Sequence, residues 1–205
     1  MRNFITKFNT VNNGLAAKFS NNINPKTVSW FTDGSCHGNG RKSSSGGYAS
    51  ICVSGNSKNI VFYSKVDDRS IKATNIRAEG LAILSVLEYS LSNIKSSQWD
   101  NTIIYTDSEF WVKMIYNYMP KWSESGLDFN KKANPDLTKK IYNIYNQINL
   151  TKSIELKHVY AHNKDKSANS SNPFKRFCHD NNELADDLAN LARELPDYNC
   201  RSEML

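Results

Sequence analysis

Residues 73–94 read ATNIRAEGLAILSVLEYSLSNI, and the spacing inside this run decides the fold class. Ile76, Gly80, Ile83, Leu84, Leu87, Leu91 and Ile94 recur at intervals that place them on one side of an α-helix. Upstream the pattern is different. Val28 to Thr32, Gly47 to Ser54 and Asn59 to Val66 are short apolar runs bounded by Gly, Ser, Asn or Asp, which predicts three successive antiparallel strands. Downstream, Thr102 to Thr106 (TIIYT) predicts a short buried strand, then a helix over roughly Glu109 to Tyr118 that Pro120 stops. A further helix starts after Asn134-Pro135 and runs to about Asn149, Pro135 suiting its first turn. Ser153 to Val159 predicts a fifth strand, and Asn182 to Leu195 a last helix with Leu184, Leu188, Leu191 and Leu195 on one side. The order βββ-α-β-α-α-β-α predicts an α/β domain. Its sheet is mixed and five-stranded, three antiparallel strands followed by parallel ones, with helices on its faces.

A chain of 205 residues suits one such domain. The expected organisation is an N-terminal extension over 1–26, a folded domain over 27–197 and a tail over 198–205. With 39% hydrophobic and 11% aromatic residues, the composition excludes a disordered chain. No run approaches the roughly 20 apolar residues of a membrane span, so no membrane is expected. Cys36, Cys52, Cys178 and Cys200 form no CxxC pair, which speaks against a disulfide scaffold and a zinc knuckle. Reduced thiols, an intracellular location in cytoplasm or nucleus, and a monomer are expected. The net charge of +6 admits a polyanionic partner without establishing one. The leader before Asp33, the first acidic residue, carries Arg2, Lys7, Lys18 and Lys26. Its few arginines favour a tail that is disordered or contacts nucleic acid over an organelle-targeting segment.

Four carboxylates stand where a purely structural protein has little use for them. Asp33 ends the first predicted strand in Thr32-Asp33-Gly34-Ser35, where by itself it would be a turn aspartate. Glu79 lies on the edge of the apolar stripe of the 73–94 helix, where a carboxylate loses water and needs a cation or donors nearby. Asp107 follows TIIYT and leads straight into a helix, a position that an N-cap would also explain. Asp186 and Asp187 both flank the apolar arc of the last helix, and periodicity leaves the choice between them open. Carboxylates converging from these elements on one cleft would offer oxygen ligands alone, which suits Mg²⁺, with Mn²⁺ as an alternative. Two such ions would orient a water for in-line attack on a phosphodiester and stabilise the leaving oxygen.

The ordered set of motifs resembles the type 1 ribonucleases H over about Val28 to Leu195. Four segments carry the resemblance: Thr32-Asp33-Gly34-Ser35-Cys36 with Gly38-Asn39, Thr74-Asn75-Ile76-Arg77-Ala78-Glu79, Tyr105-Thr106-Asp107-Ser108, and Asn182-Glu183-Leu184-Ala185-Asp186-Asp187-Leu188-Ala189. Each string is common alone, and their order on matching elements makes the set specific. The resemblance implies a ribonuclease H-like fold and an endonuclease that cuts the RNA strand of an RNA/DNA hybrid with two Mg²⁺ ions, leaving 5′-phosphate and 3′-hydroxyl ends. It implies Asp33, Glu79, Asp107 and Asp186 as metal ligands, Asp187 as a surface neighbour, and His162, after Val159-Tyr160-Ala161, as the histidine that assists proton movement and product release. His158 and His162 make an HxxxH spacing, but on a strand end and a loop, so zinc is set aside.

Cys36, Asn39, Asn75 and Asn182 match positions near the RNA strand, and Lys72, Thr74 and Asn134 match a pocket for one DNA phosphate, which positions a duplex without reading its sequence. Lys113, Lys121, Trp122, Lys131 and Lys132 resemble a reduced basic handle. Departures from the family pattern are the long turn from Gly38 to Gly47, Glu109 close behind Asp107, and the long stretch from Asn163 to Asp180 with Lys164, Lys166, Lys175 and Arg176. The alternatives are a module that grips hybrid without cutting, which four retained carboxylates disfavour, and the nuclease part of a reverse transcriptase-like complex, against which the starting Met1 and the leader favour a free-standing protein.

Overall fold

A computed structural model describes residues 26–53, 60–66, 71–96, 98–126, 128–160, 171–195 and 200–204. Its elements are β1 (Thr27–His37), β2 (Ser45–Val53), β3 (Ile60–Lys65), α1 (Asn75–Ser92), β4 (Asn101–Thr106), α2 (Glu109–Lys113), a π-helical turn (Met114–Tyr118), α3 (Met119–Glu124), a 3₁₀ turn (Phe129–Lys131), α4 (Pro135–Asn149), β5 (Ser153–His158), α5 (Pro173–Arg193) and β6 (Cys200–Met204). The sheet order is β5-β4-β1-β2-β3-β6. β1, β2 and β3 are antiparallel neighbours, and β4 and β5 run parallel to β1, so the expected five-stranded mixed sheet is present.

Alternation along β1 divides the core in two, because successive strand residues leave opposite faces. Trp30 packs on one side with Ile83, Leu87, Ile104 and Trp111, under α1 and α4. Phe31 packs on the other with Tyr105, Phe177, Leu184 and Leu188, under α5. α1 starts at Thr74, whose side chain accepts from the Arg77 N–H, as an N-cap should. Its buried side follows the predicted stripe at Gly80, Ile83, Leu84 and Leu87, but Ile76 is 37% exposed and Arg77 is buried.

Four boundaries differ from expectation. β1 does not end at Asp33: its pairing with β4 stops at Thr32, while its pairing with β2 continues to His37. Pro120 does not stop the second helix. The preceding π-helical turn, in which the Met119 N–H reaches back to the Met114 carbonyl, lets the chain wind on through α3 with Pro120 in its first turn. α5 begins nine residues before Asn182, at Pro173, capped by Asn172, which accepts from the Phe174 and Lys175 N–H groups. Lys175 and Arg176 therefore stand on a helix. Asn181 and Asn182 are buried within α5 and interrupt its apolar stripe, which hides the first half of the helix from a periodicity search. Lastly, residues 200–204, expected in a tail, add β6 antiparallel to β3 as an edge strand.

Helix α5 lies unusually close to the sheet. A Cβ built on Gly47 would sit 2.3 Å from the Ala189 carbonyl oxygen and 2.3 Å from the Arg193 nitrogen, so only glycine fits there. Among the described residues no helix is long and apolar enough to cross a membrane.

Candidate active site

The cleft begins where β1 loses its parallel partner. Thr32 and Thr106 are the last paired residues of β1 and β4, so the next residue on each strand, Asp33 and Asp107, emerges side by side at the same end of the sheet. Glu79 faces them from α1 and Asp186 from α5. Asp33 is only 7% exposed. Burial, then the charges of Asp107 and Asp186 and more weakly that of Glu79, push its carboxyl well above the ordinary range, although Oδ1 accepts a 2.6 Å hydrogen bond from the Gly34 N–H. The charges of the other three predicted carboxylates thus all reach Asp33. Asp186 and Asp187 are both exposed, and Asp186 is the member of the pair whose charge reaches Asp33.

Ser108, rather than Asp107, caps α2: its hydroxyl oxygen accepts from the Trp111 N–H. The same hydroxyl donates to Glu79 Oε2 at 2.5 Å. Burial nevertheless pushes Glu79 up to about 7, with Asp107 adding to the rise and Ser108 opposing it. A carboxyl whose pKa rises on folding favours the folded state while it is protonated. Its contribution is complete below about pH 4.5 and is lost as pH climbs through about 7. Asp33 acts in the same direction. In protein stripped of divalent cations, the melting temperature is therefore expected to fall between about pH 5 and pH 8, by circular dichroism. Glu79→Gln, which cannot ionise, should flatten that fall. A steeper fall in the variant would contradict the assignment.

The donor set tests well against a hard divalent cation. Every candidate ligand is a carboxylate oxygen, and the clustered negative charge is what a small cation relieves. Among the described residues no three His, Cys, Asp or Glu side chains stand as a ready-made ion-holding group. The carboxylates share one cleft without closing on one point.

The predicted substrate positions fall into two groups. Asn39, Thr74 and Asn75 come together: Gly40 N–H donates to the Ala73 carbonyl at 2.8 Å, and Asn75 N–H donates to Asn39 Oδ1 at 3.1 Å. Asn134 joins them through Arg77, whose Nη1 donates to Asn134 Oδ1 at 3.4 Å. Arg77 is a residue the sequence reading missed. It is 8% exposed and pairs with both carboxylate oxygens of Asp136, at 3.2 and 2.8 Å, tying α1 to the start of α4. Lys72 is exposed beside this group, and Cys36 is half-buried on β1. Asn182 stands apart at 2% exposure, with its side-chain oxygen buried.

His158, set aside as a zinc ligand, ends β5 with Nε2 3.1 Å from the Asp107 carbonyl oxygen, and so lines the cleft. His162, Lys164 and Lys166 lie outside the described residues, as does the extension up to residue 25. In the expected basic handle, Lys113 pairs with Glu109 at 2.7 Å, which balances the one acid that departed from the family pattern. Lys132 stands 4.8 Å over the Trp122 ring, and Lys121 is exposed. The side chain of Lys131 is outside the description.

Three kinds of comparison bear on this geometry. The model of the RNase H family matches residues 25–194. A protein named Ribonuclease H from Cyanothece sp. is 27% identical over 140 residues, which span 68% of this chain and 81% of that protein. A second Ribonuclease H, from Rippkaea orientalis, is 32% identical over 130 residues, 62% of this chain and 71% of its own length. Among solved structures, LC9-RNase H1, described as a type 1 RNase H with the type 2 active-site motif, superposes with a TM-score of 0.59 at 18% identity, covering 89% of this chain and 80% of its own. That last likeness shows the fold alone.

Proposed function

The chain belongs to the RNase H family, and on that premise we propose that it is a divalent-cation-dependent endonuclease that hydrolyses the RNA strand of RNA/DNA hybrids. One observation carries the reading: Asp33 and Asp107 emerge side by side where β1 parts from β4, and the charges of Asp107, Asp186 and Glu79 all bear on the buried Asp33 carboxyl. In water-exposed isolation such carboxylates would do no such thing.

Asp33, Glu79, Asp107 and Asp186 would hold the ions, Mg²⁺ foremost with Mn²⁺ as an alternative. Bound there, two ions would offset the charge of the phosphodiester and activate water for in-line attack, leaving 5′-phosphate and 3′-hydroxyl ends. The protein's own groups do the rest. Ser108 holds one oxygen of Glu79. The pairing of β1 with β4 fixes the spacing of Asp33 and Asp107. Asn39, Asn75 and Cys36 would face the RNA strand, and Lys72, Thr74 and Asn134 would seat a DNA phosphate; the Asn75–Asn39 and Arg77–Asn134 hydrogen bonds support this grouping. Phosphate seating carries no sequence information, so cleavage should be largely independent of sequence. His162 would assist proton movement near neutral pH. Asn182, buried within α5, would act by supporting that helix.

The test is incubation of the purified protein with labelled RNA/DNA, RNA/RNA and DNA/DNA duplexes, with and without Mg²⁺. Only the RNA of the hybrid should be cut, and only with the cation present; equal cutting of DNA/DNA would overturn the reading. In the same assay Asp186→Asn should slow cleavage by an amount that higher Mg²⁺ or Mn²⁺ partly restores, because a lost ligand chiefly lowers ion affinity. Asp187→Asn should stay within about twofold of the unmodified protein, as expected for a solvated carboxylate. The reverse order would move the fourth ligand to Asp187.

A further inference from the structure

Asp186 stands at the end of a one-way chain of hydrogen-bond donors. Along α5, Asp186, Asn190 and Arg193 occupy positions i, i+4 and i+7, a single stripe of the helix. Arg193 Nη1 donates to Ser35 Oγ at 2.9 Å, Ser35 Oγ donates to Asn190 Oδ1 at 2.6 Å, and Asn190 Nδ2 donates to Asp186 Oδ1 at 3.1 Å. Arg193 Nη1 also reaches Asn190 Oδ1, at 3.3 Å. Arginine has donors only, and this fixes the sense of the relay. With a guanidinium and a hydroxyl both donating to its oxygen, the Asn190 amide turns its N–H₂ toward the carboxylate. Each donor is polarised by the one before it, from the cation to the anion.

The backbone fixes the same arrangement. Ser35 is two residues beyond Asp33 on β1, so both side chains leave the strand on the face that α5 covers. Ser35 is 9% exposed, which shields the middle of the relay from water. Gly47 admits the helix at this depth, since any side chain there would strike the backbone of Ala189 and Arg193. The relay therefore spans the β1–α5 contact that carries two of the four carboxylates.

We propose that Asn190 is a positioning residue for the divalent-cation site: it holds Asp186 in one orientation, and Ser35 and Arg193 hold Asn190 in turn. This rests on the reading of the four carboxylates as cation ligands. Partners behind a ligand that orient it are worth about 10- to 100-fold in metal affinity or activity. The effect here belongs to affinity, because Asn190 touches a ligand and not the reacting atoms.

The experiment is calorimetric titration of Mg²⁺ and Mn²⁺ into cation-free, substrate-free protein, with melting temperatures measured in parallel. Asn190→Ala is expected to weaken cation binding about tenfold while leaving the cation-free melting temperature in place. In cleavage assays it should shift the Mg²⁺ midpoint by a similar factor, with kcat at saturating Mg²⁺ within about twofold of the unmodified protein. Asn190→Leu, which retains the side-chain volume, should behave alike and guards against a packing defect in the alanine variant. In an Asp186→Asn background, Asn190→Ala should cost nothing further, since the group it orients no longer binds the ion. Wild-type affinity in both single variants overturns the proposal, and so does a full tenfold loss in the Asp186→Asn background. If the unmodified protein neither binds Mg²⁺ nor cuts hybrid, the ligand reading falls first and takes this proposal with it. If it does both and only the Asn190 effect is missing, this proposal alone fails.

Discussion

Asp107→Asn is expected to lower cleavage by about 10³-fold or more while hybrid binding persists. Removal of one preorganised charged group from a reaction centre costs on that order, and Asp107 occupies the position where loss of charge is felt twice, beside Asp33 and near Glu79. The substitution is conservative for the fold. Asp107 does not cap the following helix, a task that falls to Ser108, so asparagine leaves the β4–α2 junction in place. A second result follows from electrostatics and runs opposite to the first. Because the Asp107 charge raises the pKa of both Asp33 and Glu79, its removal lets those carboxyls ionise more readily. At neutral pH without divalent cations, Asp107→Asn should therefore melt higher than the unmodified protein, and added Mg²⁺ should raise its melting temperature less. The measurements are single-turnover cleavage at saturating Mg²⁺, hybrid binding by fluorescence anisotropy in Ca²⁺, and thermal melts with and without Mg²⁺. A variant that cuts within tenfold of the unmodified protein would remove Asp107 from the chemistry.

Three of the four carboxylates were visible in the sequence because each sits at a break in a pattern: an acid after TIIYT, an acid on the edge of an apolar stripe, an acid at a strand end; the fourth, Asp186, came from the resemblance. The pattern alone did not place Asp33 correctly. It marks where β1 parts from β4, not where β1 stops, since its pairing with β2 is fixed by residues 45–53 and has no local signal in Asp33 itself. Nor could periodicity choose between Asp186 and Asp187; in space it is the Asp186 charge that reaches Asp33. Arg77 and Asn190 were missed for a common reason: each is held by a partner far away in sequence, Asp136 for the one and Ser35 for the other. Buried asparagines concealed the first half of α5, and a π-helical turn defeated the stop expected at Pro120. What was legible was the chemistry that a residue type needs. What was not was the tertiary contact that decides whether the need is met.

The closest such contact in the site lies at Gly34, and Gly34→Ala should damage both stability and catalysis. A Cβ there would lie 2.2 Å from the Glu79 nitrogen, 2.4 Å from the Ala78 carbonyl carbon and 2.8 Å from the Ala78 Cβ. The first two of these are backbone atoms within α1, which cannot swing aside as a flexible side chain would. The helix as a whole must therefore move off β1, and overpacking of this kind typically costs about 1–3 kcal/mol, occasionally more. The displacement has a direction. Gly34 lies between Asp33 on its own strand and Glu79 on the opposing helix, so it separates the two carboxylates that the cleft brings together. A shift on the order of 1 Å in a reacting constellation can cost about 10²-fold in rate. The stability loss and the rate loss are separable by temperature: cleavage measured well below the melting transition reports on the folded variant alone. Under that condition Gly34→Ala should still be slowed about 10²-fold at saturating Mg²⁺. A folded Gly34→Ala protein that cuts at the unmodified rate would show that the β1–α1 spacing does not set the carboxylate cluster, and the site would have to be rebuilt around Asp107 and Asp186.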